Sequence, residues 1–440
     1  MQNISSGASL EDYVSASWDD ISAACTRCGK CVEVCPVVPF SPALTEAAAP
    51  AVVDGVLRFA QSSDQTVLPA SKAWIEQCNG CGECIPVCPV EINPRRMLML
   101  ANSHLSAVHQ PTPHLFQKMA RSIRILVSMQ VIPEDAAQLL RPTGKENIDV
   151  VFYTGCNPVR NPNLLFNSMM LLDALKVSYE VVGGPAACCG IVHSKWEGEL
   201  KKGGKVSETT LKRFGRFEPE KVLNWCPSCE IHLEETIKNY REVKFEFGHI
   251  TQYLLEHKAE LEKLFTHPVN KRVLVHTHQG MPEVGQNVVQ LLKAVPGLEI
   301  VHEVQEPAYM CGASGSERAP ALKAHGRAKT LELAKDPSID AVVSLYHACH
   351  RQLKTEGLAH GFQVVSFTEI LVLALGDEPY EDTFDRFVGR NDWLEMVRES
   401  SALLQENGVD FDPEKLAEVL PEILGSAEWK GGLCAFAPSA

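Results

Sequence analysis

The sequence predicts an α+β chain of several domains: a helical, cysteine-dense N-terminal domain, then two duplicated α/β units with parallel sheets. Three observations predict it. Eight of the 16 cysteines sit in two runs of one spacing near the N-terminus. The segment between those runs reads as helix. From residue 150, short apolar β-rich runs alternate with helical stretches, and the alternation then returns.

Composition bounds the chemistry. The chain has 440 residues, 45% of them hydrophobic, enough for several cores. A net charge of −14 argues against non-specific nucleic-acid binding, which needs a basic surface. No apolar run reaches the length of a membrane span. The start, "MQNISSGASLEDYVSASWDD", lacks the basic and apolar regions of a signal peptide. A cytoplasmic chain is expected, where thiols stay reduced and cysteine clusters hold metals rather than disulfides. A peripheral place on the inner membrane, through a partner subunit, stays open.

Residues 1–112 form the expected helical domain. "CTRCGKCVEVCP" (25–36) and "CNGCGECIPVCP" (78–89) both read C-x2-C-x2-C-x3-C-P. Three thiolates at every third residue wrap one face of an iron–sulfur cube, and the fourth is carried to the other cube. One [4Fe–4S] cubane then takes Cys25, Cys28, Cys31 and Cys88; the other takes Cys78, Cys81, Cys84 and Cys35. Pro36 and Pro89 lack an N–H and turn the chain after the last ligand. The alternative is a pair of zinc sites, but zinc favours paired C-x2-C units. Between the runs, "SPALTEAAAPAVVDGVLRFAQSS" reads as helix with a proline break. This region resembles the helical ferredoxin module of fumarate reductase iron–sulfur subunits and heterodisulfide reductase C subunits. The resemblance implies a wire whose cubes do no substrate chemistry.

Residues 113–145 are expected to be linker helices. "HLFQKMARSIRILVSMQVIP" (114–133) mixes basic and apolar residues at helical spacing, suiting either a helix packed between modules or a membrane-docking face.

In residues 146–266, "VVFYTGCNP" (150–158) is a strand ending in Cys156. "PAACCGIVHSKW" carries Cys188 and Cys189 after a second strand, and "KVLNWCPSC" ends in Cys226 and Cys229. Alternating strands and helices place such residues outside the carboxyl ends of a parallel sheet, so all five thiols should share one edge. The pattern C-x31-CC-x36-C-x2-C, with Gly190, resembles the cysteine-rich "CCG" domain of heterodisulfide reductase B and D subunits, found also in glycolate, lactate and glycerol-3-phosphate oxidoreductases. The order of parts resembles the fused D type. The resemblance implies that Cys156, Cys188, Cys189, Cys226 and Cys229 hold a noncubane [4Fe–4S] cluster that binds sulfur substrates. An ordinary cubane on four of the five, or zinc, are the alternatives. His193 is a candidate proton source for a bound sulfur, or a satisfied loop histidine. The lysines of "SKWEGELKKGGKVSETTLKR" suit a solvated helix face or the attraction of an anionic thiol.

Residues 267–376 repeat the unit with its thiols replaced. "RVLVHTHQGM" matches the first strand, with Thr277 for Cys156. "AYMCGASG" keeps Cys311 but has Met310, and "VVSLYHACHRQL" keeps Cys349 but has Tyr346 for Cys226. His276, His278, Cys311, His347, Cys349 and His350 should lie near one sheet edge, as a metal-free substrate or partner pocket or as a zinc site. Residues 377–440 form an acidic helical tail in which Cys434 stands alone.

No GxGxxG, Walker or Ser-His-Asp arrangement occurs. Three readings compete. The first is an oxidoreductase subunit, active within a complex, whose clusters act on a thiol, disulfide or persulfide or on a small sulfur-carrier protein. The second is a relay between a flavin dehydrogenase of hydroxy-acid or amine type and the quinone pool. The third, a scaffold without redox function, fits poorly with eight intact cube ligands. Partners are other redox subunits, a flavoprotein or a membrane quinone/haem subunit, and no nucleic acid.

Overall fold

A computed structural model describes residues 8–61, 66–108, 114–276, 281–303 and 319–424. The described N-terminal region is built of helices joined by the cysteine-bearing loops. The helix Leu10–Ala24 starts in a capping box: Asp12 N donates to Ser9 Oγ, while Ser9 N donates to Asp12 Oδ2 at 2.8 Å. Leu10, Val14, Tyr13, Trp18 and Ile21 recur at helical spacing and are buried. Helices Ala49–Gln61, Pro69–Gln77 and Pro94–Val108 complete the bundle. The predicted proline break appears as a short helix, Pro42–Thr45, ahead of Ala49–Gln61.

The helix Leu115–Ser128 follows, with Leu115, Met119, Ile123 and Leu126 buried. Its stripe is covered by protein rather than presented to a membrane. The C-terminal helices Trp393–Glu399 and Pro413–Leu424 return to it, and Ile125, Leu126 and Met129 share a small core with Phe384, Met396, Leu404 and Leu420. Among the described residues no helix is long and apolar enough to cross a membrane.

Two four-stranded sheets make up the middle. The first contains β1 (Val150–Gly155), β2 (Tyr179–Gly183), β3 (Lys221–Asn224) and β4 (Glu246–His249), in the order β2-β1-β3-β4, with every neighbour parallel. The second contains β5 (Arg272–His276), β6 (Glu299–Glu303), β7 (Ala341–Ser344) and β8 (Gln363–Ser366), ordered β6-β5-β7-β8 and also parallel. The two orders are the same, strand for strand, as the duplicated motif predicts. β1 is buried along its whole length, as a central parallel strand covered on both faces must be. The edge strands β4 and β8 were not legible in the sequence.

Candidate functional site: three thiol sets in series

The first set is held by loops around the helical bundle. Cys25 ends the helix Leu10–Ala24, and Cys25, Cys28, Cys31 and Cys88 line one pocket with Val53, Pro89 and Met97. Gly29 has φ +82°, and a Cβ there would meet Pro50 N at 2.8 Å, so the turn admits only glycine. Burial pushes the Cys31 thiol up to about 12, and Cys25, Cys28 and Cys88 add to the effect. Cys88 therefore faces the earlier run, although it belongs to the later one.

The converse exchange forms the second set. Burial pushes Cys35 up to about 11, and the neighbour that adds most is Cys78. Burial pushes Cys81 up to about 12, with Cys78 and Cys35 adding. Cys84 is raised by burial, then by Cys78, Cys81 and Cys35. Asn79 Oδ1 accepts from Cys81 N at 3.0 Å and shapes the turn.

The third set lies at the carboxyl ends of β1, β2 and β3. Cys156, Cys188, Cys189, Cys226 and Cys229 are all buried. Cys156 is hydrogen-bonded to Cys188, Cys188 to Cys189, Cys189 to Cys229, and Cys229 to Cys226. Hydrogen bonds from Cys188 and then Cys229 pull Cys189 down to about 6. The same chain of bonds holds Cys156 and Cys229 well above the usual thiol range. The Cys188–Cys189 loop is anchored on the helix Leu200–Gly215: Thr210 Oγ1 donates to Cys188 O and Ser207 Oγ to Cys189 O, both at 2.7 Å. Tyr153 Oη donates to Ala187 O at 2.7 Å and ties the loop to β1.

Among the described residues, His193, Glu197 and Glu199 bring one ligand atom each within 4.8 Å of one another. The His193 trio already holds a cation: Lys202 Nζ lies 3.2 Å from Glu197 Oε2 and 2.8 Å from Glu199 Oε2. His193 Nδ1 is 2.6 Å from Glu197 Oε2 and its ring packs on Phe116. It thus braces the loop against the linker helix Leu115–Ser128.

The second and third sets are neighbours. One cleft is lined by Cys78, Asn79, Gly80 and Arg95 from the helical region and by Lys195, Pro227, Ser228 and Glu235 from the first α/β unit. Arg95 Nε donates to Glu235 Oε1 at 3.0 Å across it. Cys28, in the first set, is exposed.

The second α/β unit covers the third set. Phe367 stacks on Trp225 with ring centroids 5.7 Å apart, and Tyr346, in the place of Cys226, meets His249 edge-on. The other described residues singled out there have partners of their own. His276 Nδ1 pairs with Thr330 Oγ1, and His350 bridges Ser344 and Asp382 at 2.7 Å each. His347 meets Asn157, and Cys349 is buried. Thr277, His278, Met310, Cys311 and Cys434 lie outside the described residues. Sequence reasoning missed two buried guanidiniums: Arg160, near Cys156, and Arg351, near Arg160 and Cys349. Arg160 stands only four residues after Cys156, which was a usable signal; Arg351 had none.

Residues 21–92 match the family profile of a 4Fe-4S dicluster domain, and residues 150–234 that of a cysteine-rich domain. The chain is 24% identical over 378 residues to the B subunit of the fumarate reductase (CoM/CoB) of Methanothermobacter marburgensis, covering 80% of this chain and 72% of that one. It is 23% identical over 409 residues to the D subunit of the dihydromethanophenazine:CoB–CoM heterodisulfide reductase of Methanosarcina barkeri, covering 80% and 94%. A more distant relative is the EtfAB:quinone oxidoreductase of Syntrophomonas wolfei, 24% identical over 375 residues, of which the match spans 49%.

Proposed function

We propose that this chain, with its 4Fe–4S dicluster domain ahead of a cysteine-rich one, is a heterodisulfide reductase-like iron–sulfur protein that passes electrons along three clusters to or from a sulfur substrate. Two cubanes are held by Cys25, Cys28, Cys31 and Cys88 and by Cys78, Cys81, Cys84 and Cys35. A noncubane [4Fe–4S] centre is held by Cys156, Cys188, Cys189, Cys226 and Cys229. When bound, these groups supply one-electron storage, and the third supplies iron that takes a substrate sulfur. Reducing a disulfide takes two electrons and two protons and yields two thiols.

The observation that carries the reading is the convergence of five buried thiols from three strand ends at one edge, next to the cleft that Cys78 lines. The chain's own residues do the rest. The Ser207 and Thr210 hydroxyls fix the paired-cysteine loop, Arg95 and Glu235 hold the helical region against the third set, and the second α/β unit excludes water from it. With a single five-cysteine motif, the substrate is a small thiol, disulfide or persulfide, or a sulfur-carrier protein, rather than a bulky heterodisulfide gripped by two such centres. The complex partners are other redox subunits.

The second reading, relay to a quinone-linked flavin system, is favoured by the EtfAB:quinone oxidoreductase likeness. One experiment separates them. Oxidising the anaerobically purified protein with a small thiol present should produce a paramagnetic signal absent without the thiol. Cys189→Ser should abolish it and leave both cubane signals. A thiol-independent spectrum would favour relay alone.

A further inference from the structure

We propose that Arg160 and Arg351, one from each α/β unit, form a buried oxyanion site beside Cys156 that holds the anionic group of a small thiol or disulfide substrate. The proposal rests on reading the five-cysteine set as the substrate-facing centre.

Arg160 closes the turn Pro158–Arg160 that follows Cys156; it is 3% exposed, and its Nε and Nη2 have no hydrogen-bond partner. Arg351 lies on the helix His347–His360 and is 1% exposed. Its Nη1 donates to Asn161 Oδ1 at 2.5 Å, and its Nη2 has no partner. The charges that act on them are Cys156 for Arg160, and Arg160 and Cys349 for Arg351, with no carboxylate among them. Burial lowers Arg160 to about 10 and Arg351 to about 9, the latter pushed further by Arg160. Two like charges placed together out of water, without a counter-ion, are strongly unfavourable.

Two amide donors in the chain just after Arg160, Asn161 Nδ2 and Asn163 Nδ2, are also buried without partners. Folded proteins satisfy nearly all such groups, and unpartnered donors following Arg160, one of them on the residue bonded to Arg351, mark a place built for a bound oxyanion. The helix His347–His360 begins there without a side-chain cap, adding the positive end of its dipole. Neutralising the five thiolates would explain Arg160 alone. Arg351 belongs to the other unit and responds to Arg160 and Cys349 rather than to any of the five, so its place answers to a ligand between the units.

The test is anaerobic calorimetric titration of the full chain with mercaptoacetate and with the neutral 2-mercaptoethanol, iron being counted in the same samples. Wild type should bind mercaptoacetate at least about tenfold more tightly. Arg351→Gln should erase that preference while leaving 2-mercaptoethanol binding and iron content unchanged. Arg351→Lys should retain part of it. Should R351Q fail to fold, inorganic phosphate added to wild type should compete with mercaptoacetate and spare 2-mercaptoethanol. Equal binding of both thiols by protein with its full iron, or a preference that survives both R160Q and R351Q, would overturn the proposal. About eight irons with no binding of either thiol would overturn the three-cluster reading, and this one with it.

Discussion

Asn157 Nδ2 donates to His347 Nε2 at 3.1 Å, joining the residue after Cys156 to the first residue of the helix that follows β7. The two α/β units therefore meet through the carboxyl edges of their sheets, at the ends of β1 and β7, one edge bearing thiols and the other their replacements. The duplication turns its second copy into a lid for the first.

That contact predicts the effect of His347→Ala. Asn157 is buried, and losing its acceptor strands a donor, at a cost of about 1–3 kcal/mol. Thermal unfolding should come earlier, with iron content kept. An unchanged midpoint would mean that the units are held elsewhere.

Gly190 should not tolerate a side chain. It has φ +92°, and a Cβ there would sit 2.4 Å from Ser207 Oγ and 2.6 Å from Gly203 O. Gly190→Ala must move the paired-cysteine loop off the helix Leu200–Gly215, costing roughly 2 kcal/mol or more. Purified protein should carry about four fewer irons per chain, one cluster's worth. Full iron content would contradict the role given to this turn.

Acid stability should depend on Asp382. His350 and the Lys354 ammonium, both bonded to it, hold its carboxyl far below the usual range, against the opposing effect of burial. A depressed carboxylate pKa adds stability above the unfolded value near about 4 and loses it as pH falls below that. Asp382→Asn should cost about 3 kcal/mol at neutral pH. Between about pH 4 and 2 the variant should lose less stability than wild type does. Parallel denaturant titrations of both proteins at several pH values check the sign.

Much of the site was legible because cysteine spacing is local. The two quartet runs imply their own exchange of Cys35 and Cys88, and the strand ends place the five thiols at one edge. The edge strands β4 and β8 were not legible: β4, "EFGH", is four residues of mixed polarity, and its pairing with β3 is set by tertiary packing. Nor was the Arg351–Asn161 bond, whose partners stand 190 residues apart and meet only after both sheets have formed. His193 read as a candidate proton source or a satisfied loop histidine, and its partner Glu197, four residues on, could not be seen from spacing.

The most direct measurement is a count of iron and acid-labile sulfide in anaerobically purified protein. Three four-iron clusters predict about twelve irons per chain in wild type, and about eight in Cys189→Ser with both cubane signals intact. About eight irons in wild type, unchanged by the substitution, would contradict the account.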